Sequence, residues 1–219
     1  MELNLGQWIA IGICAILIIG YVRGYITNRQ RAKQISLWLL EGLKPWGQVT
    51  GGRKLPRMVT GGRLEVQQAQ APLRQVEAVF LLAPRENLLF WILYRLQGKR
   101  DELLVWITFQ SKPEQAVEVA RKGDKLFENR LKAADKPSLS IMSAPPPLQI
   151  ASEEKEGAIL AGKVQSFVQR FPSLILRLAL RANKPHLFVR TDLRIVQSIP
   201  ADEFFTALSE LRKDSVTRV

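Results

Sequence analysis

The chain holds one histidine and one cysteine, and that scarcity limits its chemistry at once. A Ser-His-Asp triad would have to use His186, and a carboxylate would have to orient its ring. Asp192 shares the strand predicted for His186 but stands six residues along it, about 20 Å in an extended chain, too far to do so. Cys14 lies inside an apolar run and reads as a small buried helix residue. A single cysteine excludes an intramolecular disulfide, and with a single histidine it excludes the usual Cys/His zinc sites.

Acidic residues cluster three times, at Asp101-Glu102, at Glu153-Glu154-Glu156 and at Asp202-Glu203. The first flanks a predicted turn. The others open predicted helices, where acids complement the helix dipole. None of these spacings demands acid-base or metal chemistry. The expectation is a protein with no catalytic residues, no metal, no cofactor and no small-molecule substrate.

The stretch "TGGRKLPRMVTGGR" at 50–63 repeats Thr-Gly-Gly-Arg. A phosphate-cradling P-loop needs G-x-x-x-x-G-K-[ST] after a buried strand, which neither copy begins. Gly-Gly pairs accept positive φ freely and favour turns. Both copies are therefore expected to be turns, flanking a short strand over 53–59 that Pro56 confines to an edge. The other reading, an anion or headgroup held by Arg53, Lys54, Arg57 and Arg63, has no motif behind it.

The elements that position these residues begin with Leu3–Val22, twenty residues without a charge. As a helix they span about 30 Å, the thickness of a bilayer core. Trp8 near one end, and Tyr21 and Tyr25 near the other, suit the aromatic belts of the interfaces. A cleaved signal peptide would need a basic leading segment and a small-residue cleavage site. "MELNLGQW" and "GYVRGYITNRQR" supply neither, so residues 1–26 are read as an uncleaved anchor. Arg23, Arg29, Arg31 and Lys33 follow the apolar run and no basic residue precedes it. The positive-inside rule then predicts a cell-membrane protein with the N-terminus outside and residues 27–219 in the cytoplasm. Small residues lie four apart at Gly6, Ala10 and Cys14, and again at Gly20 and Gly24. This spacing admits a second helix and with it a protein partner in the membrane, although glycine and alanine are common in such helices anyway.

Residues 27–47 read as a basic juxtamembrane helix with Ile35, Trp38, Leu39 and Leu43 on one face and Pro45 at its end. That face has two destinations, the membrane interface or the domain that follows. Residues 48–143 form a first α+β half, 144–153 a Pro-rich acidic linker, and 154–219 a second half joined to the first in one domain. Strands are expected at 73–83 and 138–143, and an antiparallel pair at 101–110 and 114–122 turning at Ser111-Lys112-Pro113. A hairpin is expected at 174–181 and 186–192. Helices are expected at 124–134, over 153–171 with Ile159, Leu160, Val164, Phe167 and Val168 inward, and from Pro200 or shortly before it with Phe204, Phe205, Leu208 and Leu211 inward. A hairpin followed by a helix would then occur three times. The fold class is α+β, an N-terminal transmembrane helix followed by a mostly antiparallel domain.

Leu88–Leu96 is apolar on nearly every side, with Pro84 before it and Gly98 after it. Such a segment is either a helix that meets a membrane or partner, or a strand covered on both faces. The helix reading assigns Phe90, Trp91 and Tyr94 to the interface and Arg95, Lys99 and Arg100 to headgroups.

Formal charge is +12. Residues 27–63 hold eight basic residues against one acid, a net of +7. Juxtamembrane basic residues gain about 1 kcal/mol each beside an anionic leaflet, so a bilayer with anionic headgroups is a sufficient partner for this charge. No RNP-like motif, helix-turn-helix signature or aromatic-basic stripe points to nucleic acid. These features predict a single-pass membrane-anchored interaction or scaffold protein, such as an accessory subunit of a membrane complex. A membrane-tethered nucleic-acid binder is the alternative.

Overall fold

The computed structural model describes residues 4–53, 60–113, 116–132, 139–142, 144–153 and 158–213. It opens with α1 (Leu5–Leu43), one helix of 39 residues. Asn4 and Gln7 cap it reciprocally, satisfying two otherwise unpaired N–H groups. From Leu5 to Arg23 its side chains are exposed or nearly so. Beyond that point Gly24, Asn28, Ile35, Trp38, Leu39, Gly42 and Leu43 are buried. Pro45 permits only a single 3-10 turn, Lys44–Trp46, before the chain leaves the helix.

The remaining elements follow as β1 (Gln48–Arg53), β2 (Thr60–Gln67), β3 (Leu73–Leu82), α2 (Leu88–Leu96), β4 (Glu102–Phe109) and β5 (Val117–Arg121). Next come α3 (Lys125–Lys132), β6 (Leu139–Met142), β7 (Leu148–Glu153), α4 (Ala158–Arg170), β8 (Ile175–Leu180), β9 (Leu187–Asp192), α5 (Ile195–Ser198) and α6 (Ala201–Lys213). The strands make one nine-stranded sheet in the order β1-β2-β3-β4-β9-β8-β5-β7-β6, and every paired neighbour is antiparallel. The fold is α+β, with one helix among the described residues long and apolar enough to cross a membrane.

The pleat sets the layers. In β4, Leu103, Val105, Ile107 and Phe109 are buried, while Glu102, Leu104, Trp106 and Thr108 are only half-buried. The buried face is covered by α4, α6 and the second half of α1. There Phe204 and Phe205 meet the rings of Trp38, Trp46, Phe167 and Phe171. The Trp38 indole N–H donates to Ile199 O at 3.0 Å. Of the two destinations open to Ile35, Trp38, Leu39 and Leu43, the chain takes the domain core, where each contributes about 1.5–3 kcal/mol by burial. The four residues expected inward on α6 are all buried. Helix α3 covers the opposite face through Phe127, packed with Ala120 of β5 and Ala151 of β7.

Four sequence expectations need correction. Residues 101–110 and 114–122 do not form a hairpin, because β9 and β8 stand between β4 and β5. Charge complementarity favours that insertion. Buried Glu118 of β5 ion-pairs with Arg177 of β8 at 3.7 Å and with Arg181 just beyond it at 3.0 Å. The threefold hairpin-helix repeat fails with that pair. The expected linker 144–153 contains β7, whose buried Leu148 and Ile150 tie it into the sheet between β5 and β6; Glu154 and Glu156 lie outside the described residues. Both TGGR copies lie in strands, not turns. Gly62 sits opposite Phe80, whose ring would lie 2.6 Å from a Cβ there, and β1 is bulged between Gly51 and Arg53. Glycine serves here to admit a neighbouring ring and a bulge. The strand expected over 53–59 falls, from residue 54 on, outside the described residues.

Candidate functional site

Helix α2 interrupts the β3–β4 connection. Asn87 caps it by accepting the Phe90 N–H at 3.2 Å. Its entry loop is fastened to α1. Buried Asn28 donates from Nδ2 to Ala83 O at 3.0 Å and to the Glu86 carboxylate, which also accepts from the Thr60 hydroxyl. Arg85 donates back to Asn28 Oδ1 at 2.9 Å. Gly24 lies so close that a Cβ there would be 1.9 Å from Arg85 O, and at Gly20 it would be 3.7 Å from the Leu88 side chain. Two of the five predicted helix-packing residues, Gly20 and Gly24, therefore receive a segment of their own chain. Gly6, Ala10 and Cys14 are exposed along α1, so the burial expected of Cys14 is not found: this stretch of the helix has no part of the described domain packed against it.

No residue of α2 is buried. Leu89 is 66% exposed, Phe90 63% and Leu96 79%, against 0–3% for the four inward residues of α6. Trp91 and Tyr94 are half-buried and Arg95 is exposed. The Tyr94 hydroxyl donates to Arg100 O at 2.9 Å, and the Lys99 ammonium stands 5.7 Å from the Tyr94 ring centroid. Burial, then Glu102 and Asp101, push that hydroxyl above its ordinary pKa. On α1, Trp8, Tyr21, Arg23, Tyr25, Arg29 and Lys33 are exposed, and the Tyr21 and Tyr25 rings stack at 6.3 Å.

Behind α2 lies a cleft of about 330 Å³. Two carboxylates at the ends of neighbouring strands organise it. Asp101 accepts the Ala83 N–H at 2.8 Å on Oδ1, and Arg31 and Arg85 at 2.8 Å each on Oδ2. Asp192 accepts the Arg194 N–H at 3.0 Å on Oδ1, and on Oδ2 accepts Arg194 Nε at 3.0 Å and Arg100 at 3.1 Å. Both acids are buried. Arg31, assigned from sequence to the membrane surface, is half-buried here and ties α1 to the domain. Nearby Arg121 is lowered from its ordinary pKa by burial, and further by Arg100 and Arg194, with Asp192 opposing. The surroundings are crowded with positive charge.

The sequence drew attention to neither Asn28 nor the pairing of Asp101 with Asp192. The acids meet only because β4 pairs with β9, Glu102 opposite Asp192. The one legible signal was a polar residue, Asn28, on the line of the later buried face of α1.

His186 has a different role from a triad base. It is buried, its Nδ1 accepts the Phe109 N–H at 3.0 Å and its ring stacks on Phe109. Burial, then Lys184 and Lys112, lower its pKa. Asp192 lies at the other end of β9, engaged by arginines. Among the described residues no three of His, Cys, Asp and Glu converge as metal ligands.

No protein-family model matches this chain, and no curated protein matches it either.

Proposed function

We propose that this chain is a single-pass membrane-anchored interaction protein, an accessory or scaffold subunit, whose basic α+β domain is held against the cytoplasmic surface by two contacts, α1 and α2. The observation that carries the reading is the position of α2. Its outer apolar face, with Leu89, Phe90, Leu93 and Leu96, is exposed, and its first residue packs against Gly20, about 3 Å inside the end of the apolar run at the rise of a helix. A helix apolar all round must meet lipid or a partner. With α1 already in the bilayer, immersing α2 costs little further entropy. Arg23, Arg29, Arg31 and Lys33 beyond the run favour the cytoplasmic side. The rest of the domain then faces away from the bilayer, free for a protein partner. The engagement of His186 and Asp192 in structural contacts supports a non-catalytic role.

Depth quenching tests this reading in full-length protein reconstituted in liposomes. In a Cys14→Ser background, single fluorophore-labelled cysteines at Leu89, Phe90 and Leu93 should all be quenched by shallow lipid-borne quenchers. Protection at all three would transfer α2 to a protein interface. A reporter fused after Val219 should be active inside the cell, and alkaline phosphatase activity there would reverse the orientation. RNA binding that persists at physiological salt would favour the nucleic-acid alternative over the membrane as the partner of the basic charge.

A further inference from the structure

The cleft behind α2 carries more positive charge than its acids balance. Arg31, Arg85, Arg95, Lys99, Arg100 and Arg194 line it, against Asp101 and Asp192 alone. Both acids are committed, each to two arginines, which hold those guanidinium groups in fixed places with further N–H donors to spare. Arg95 and Lys99 have no carboxylate partner among the described residues. Arginine forks held by carboxylates, beside two cations that have none among the described residues, suit phosphate, which accepts paired charge-assisted hydrogen bonds.

Depth identifies the source of the phosphate. Arg31 stands nine residues beyond Val22, about 13 Å along the helix, and helical side chains lean back toward the N-terminus. The headgroup layer extends about 5–8 Å beyond the hydrocarbon, within reach of the guanidinium. Arg95 belongs both to the apolar helix α2 and to the cleft wall, so acyl chains and headgroup would meet adjoining surfaces of one element.

We infer that this cleft binds the phosphate of an anionic phospholipid, with Arg95 and Lys99 supplying the unpaired charge and the Asp101- and Asp192-held arginines the fixed donors. The inference rests on α2 lying in the bilayer, and its test reads the two separately. Full-length protein would be extracted into mild detergent from vesicles of phosphatidylglycerol and phosphatidylcholine, and its retained lipids counted by native mass spectrometry. Phosphatidylglycerol should be retained in preference. Arg95→Gln with Lys99→Gln should reduce that preference about tenfold, the low end of the scale of one charged hydrogen bond. Lys112→Gln with Lys184→Gln, equal in charge but near the other end of β9, should leave it intact. Quenching of a label at Phe90 should be unchanged in both double variants.

Equal loss in both would make the effect one of net charge and overturn the site. No preference in the unmodified chain, with quenching intact, would refute the cleft and leave α2 in the bilayer. Failure of quenching would remove the docking reading and with it the lipid source. Displacement of the lipid by millimolar inorganic phosphate would reassign the cleft to soluble anions and overturn the proposal.

Discussion

Helices α2 and α6 are the two most instructive regions to set side by side. Helix α6 keeps its large apolar side chains in one stripe, Phe204, Phe205, Leu208 and Leu211, with Asp202 exposed in its first turn. All four are buried. Helix α2 is the more apolar of the two by composition, LLFWILYRL, and has no fully buried residue. What decides membership of the core is the arc that the apolar residues cover and where the ends of the helix are tied. A stripe can close against one layer, whereas an all-round apolar surface needs cover on every side. The ends of α2 are pinned beside α1 by the Asn28 and Asp101 contacts, which hold it out from the sheet.

The widest break in the comparison is expected from paired truncations. Phe204→Ala should cost about 3–5 kcal/mol, the range for a large buried aromatic. Phe90→Ala should stay within about 0.5 kcal/mol, as at an exposed site. Denaturant unfolding of the detergent-solubilised full chain measures both. A large cost at Phe90 would mean that the fold itself covers α2.

A smaller effect separates the two ends of α1. At Gly24 an added Cβ meets the backbone of Arg85 and the loop must move, so Gly24→Ala should cost about 1–3 kcal/mol and shift a spin-label distance between α1 and α2. At Gly12 such a Cβ meets nothing within 4 Å among the described residues beyond its own stretch of helix, so Gly12→Ala should leave both readouts unchanged. A shift from Gly12→Ala alone would place the close approach on the wrong half of the helix.

Much of this contrast was legible in the sequence because it is periodic. The spacing of Ile35, Trp38, Leu39 and Leu43 named the buried face of α1, and Phe204, Phe205, Leu208 and Leu211 that of α6. Pro84 and Gly98 bracketed α2 closely, although the apolar run alone would also have suited a strand. The site itself was much less legible. Asp101 and Asp192 read as a turn acid and a failed triad member, because strand pairing distant in sequence brings them together. Turn signals misled in the same way: Lys112-Pro113 announced a hairpin that β8 and β9 divide, and Gly-Gly announced turns where Phe80 needed room. Short-range patterns record faces and ends, while partner choice across a sheet depends on residues far away in the chain.

The smallest effect uses pH to part the two regions. His186 locks the far end of β4 through its neutral Nδ1, which accepts the Phe109 N–H. Burial and the nearby lysines put its folded pKa below the ordinary value of 6.5. The unfolded chain therefore takes up the proton first as pH falls. The stabilisation from neutral His186 is complete above about pH 6.5 and declines from there toward the folded pKa, by at most about 1.4 kcal/mol per pH unit for one proton. Between pH 7.5 and 5.5 the domain should lose stability, and His186→Asn, which can still accept from Phe109, should flatten the profile. The α2 end carries Tyr94 instead, raised above its ordinary value of 10.0 and so unmoved over this range. Lipid quenching at Phe90 should then stay constant while the unfolding midpoint falls. If the two fall together, α2 and the core are one cooperative unit, and the contrast between them is one of exposure alone.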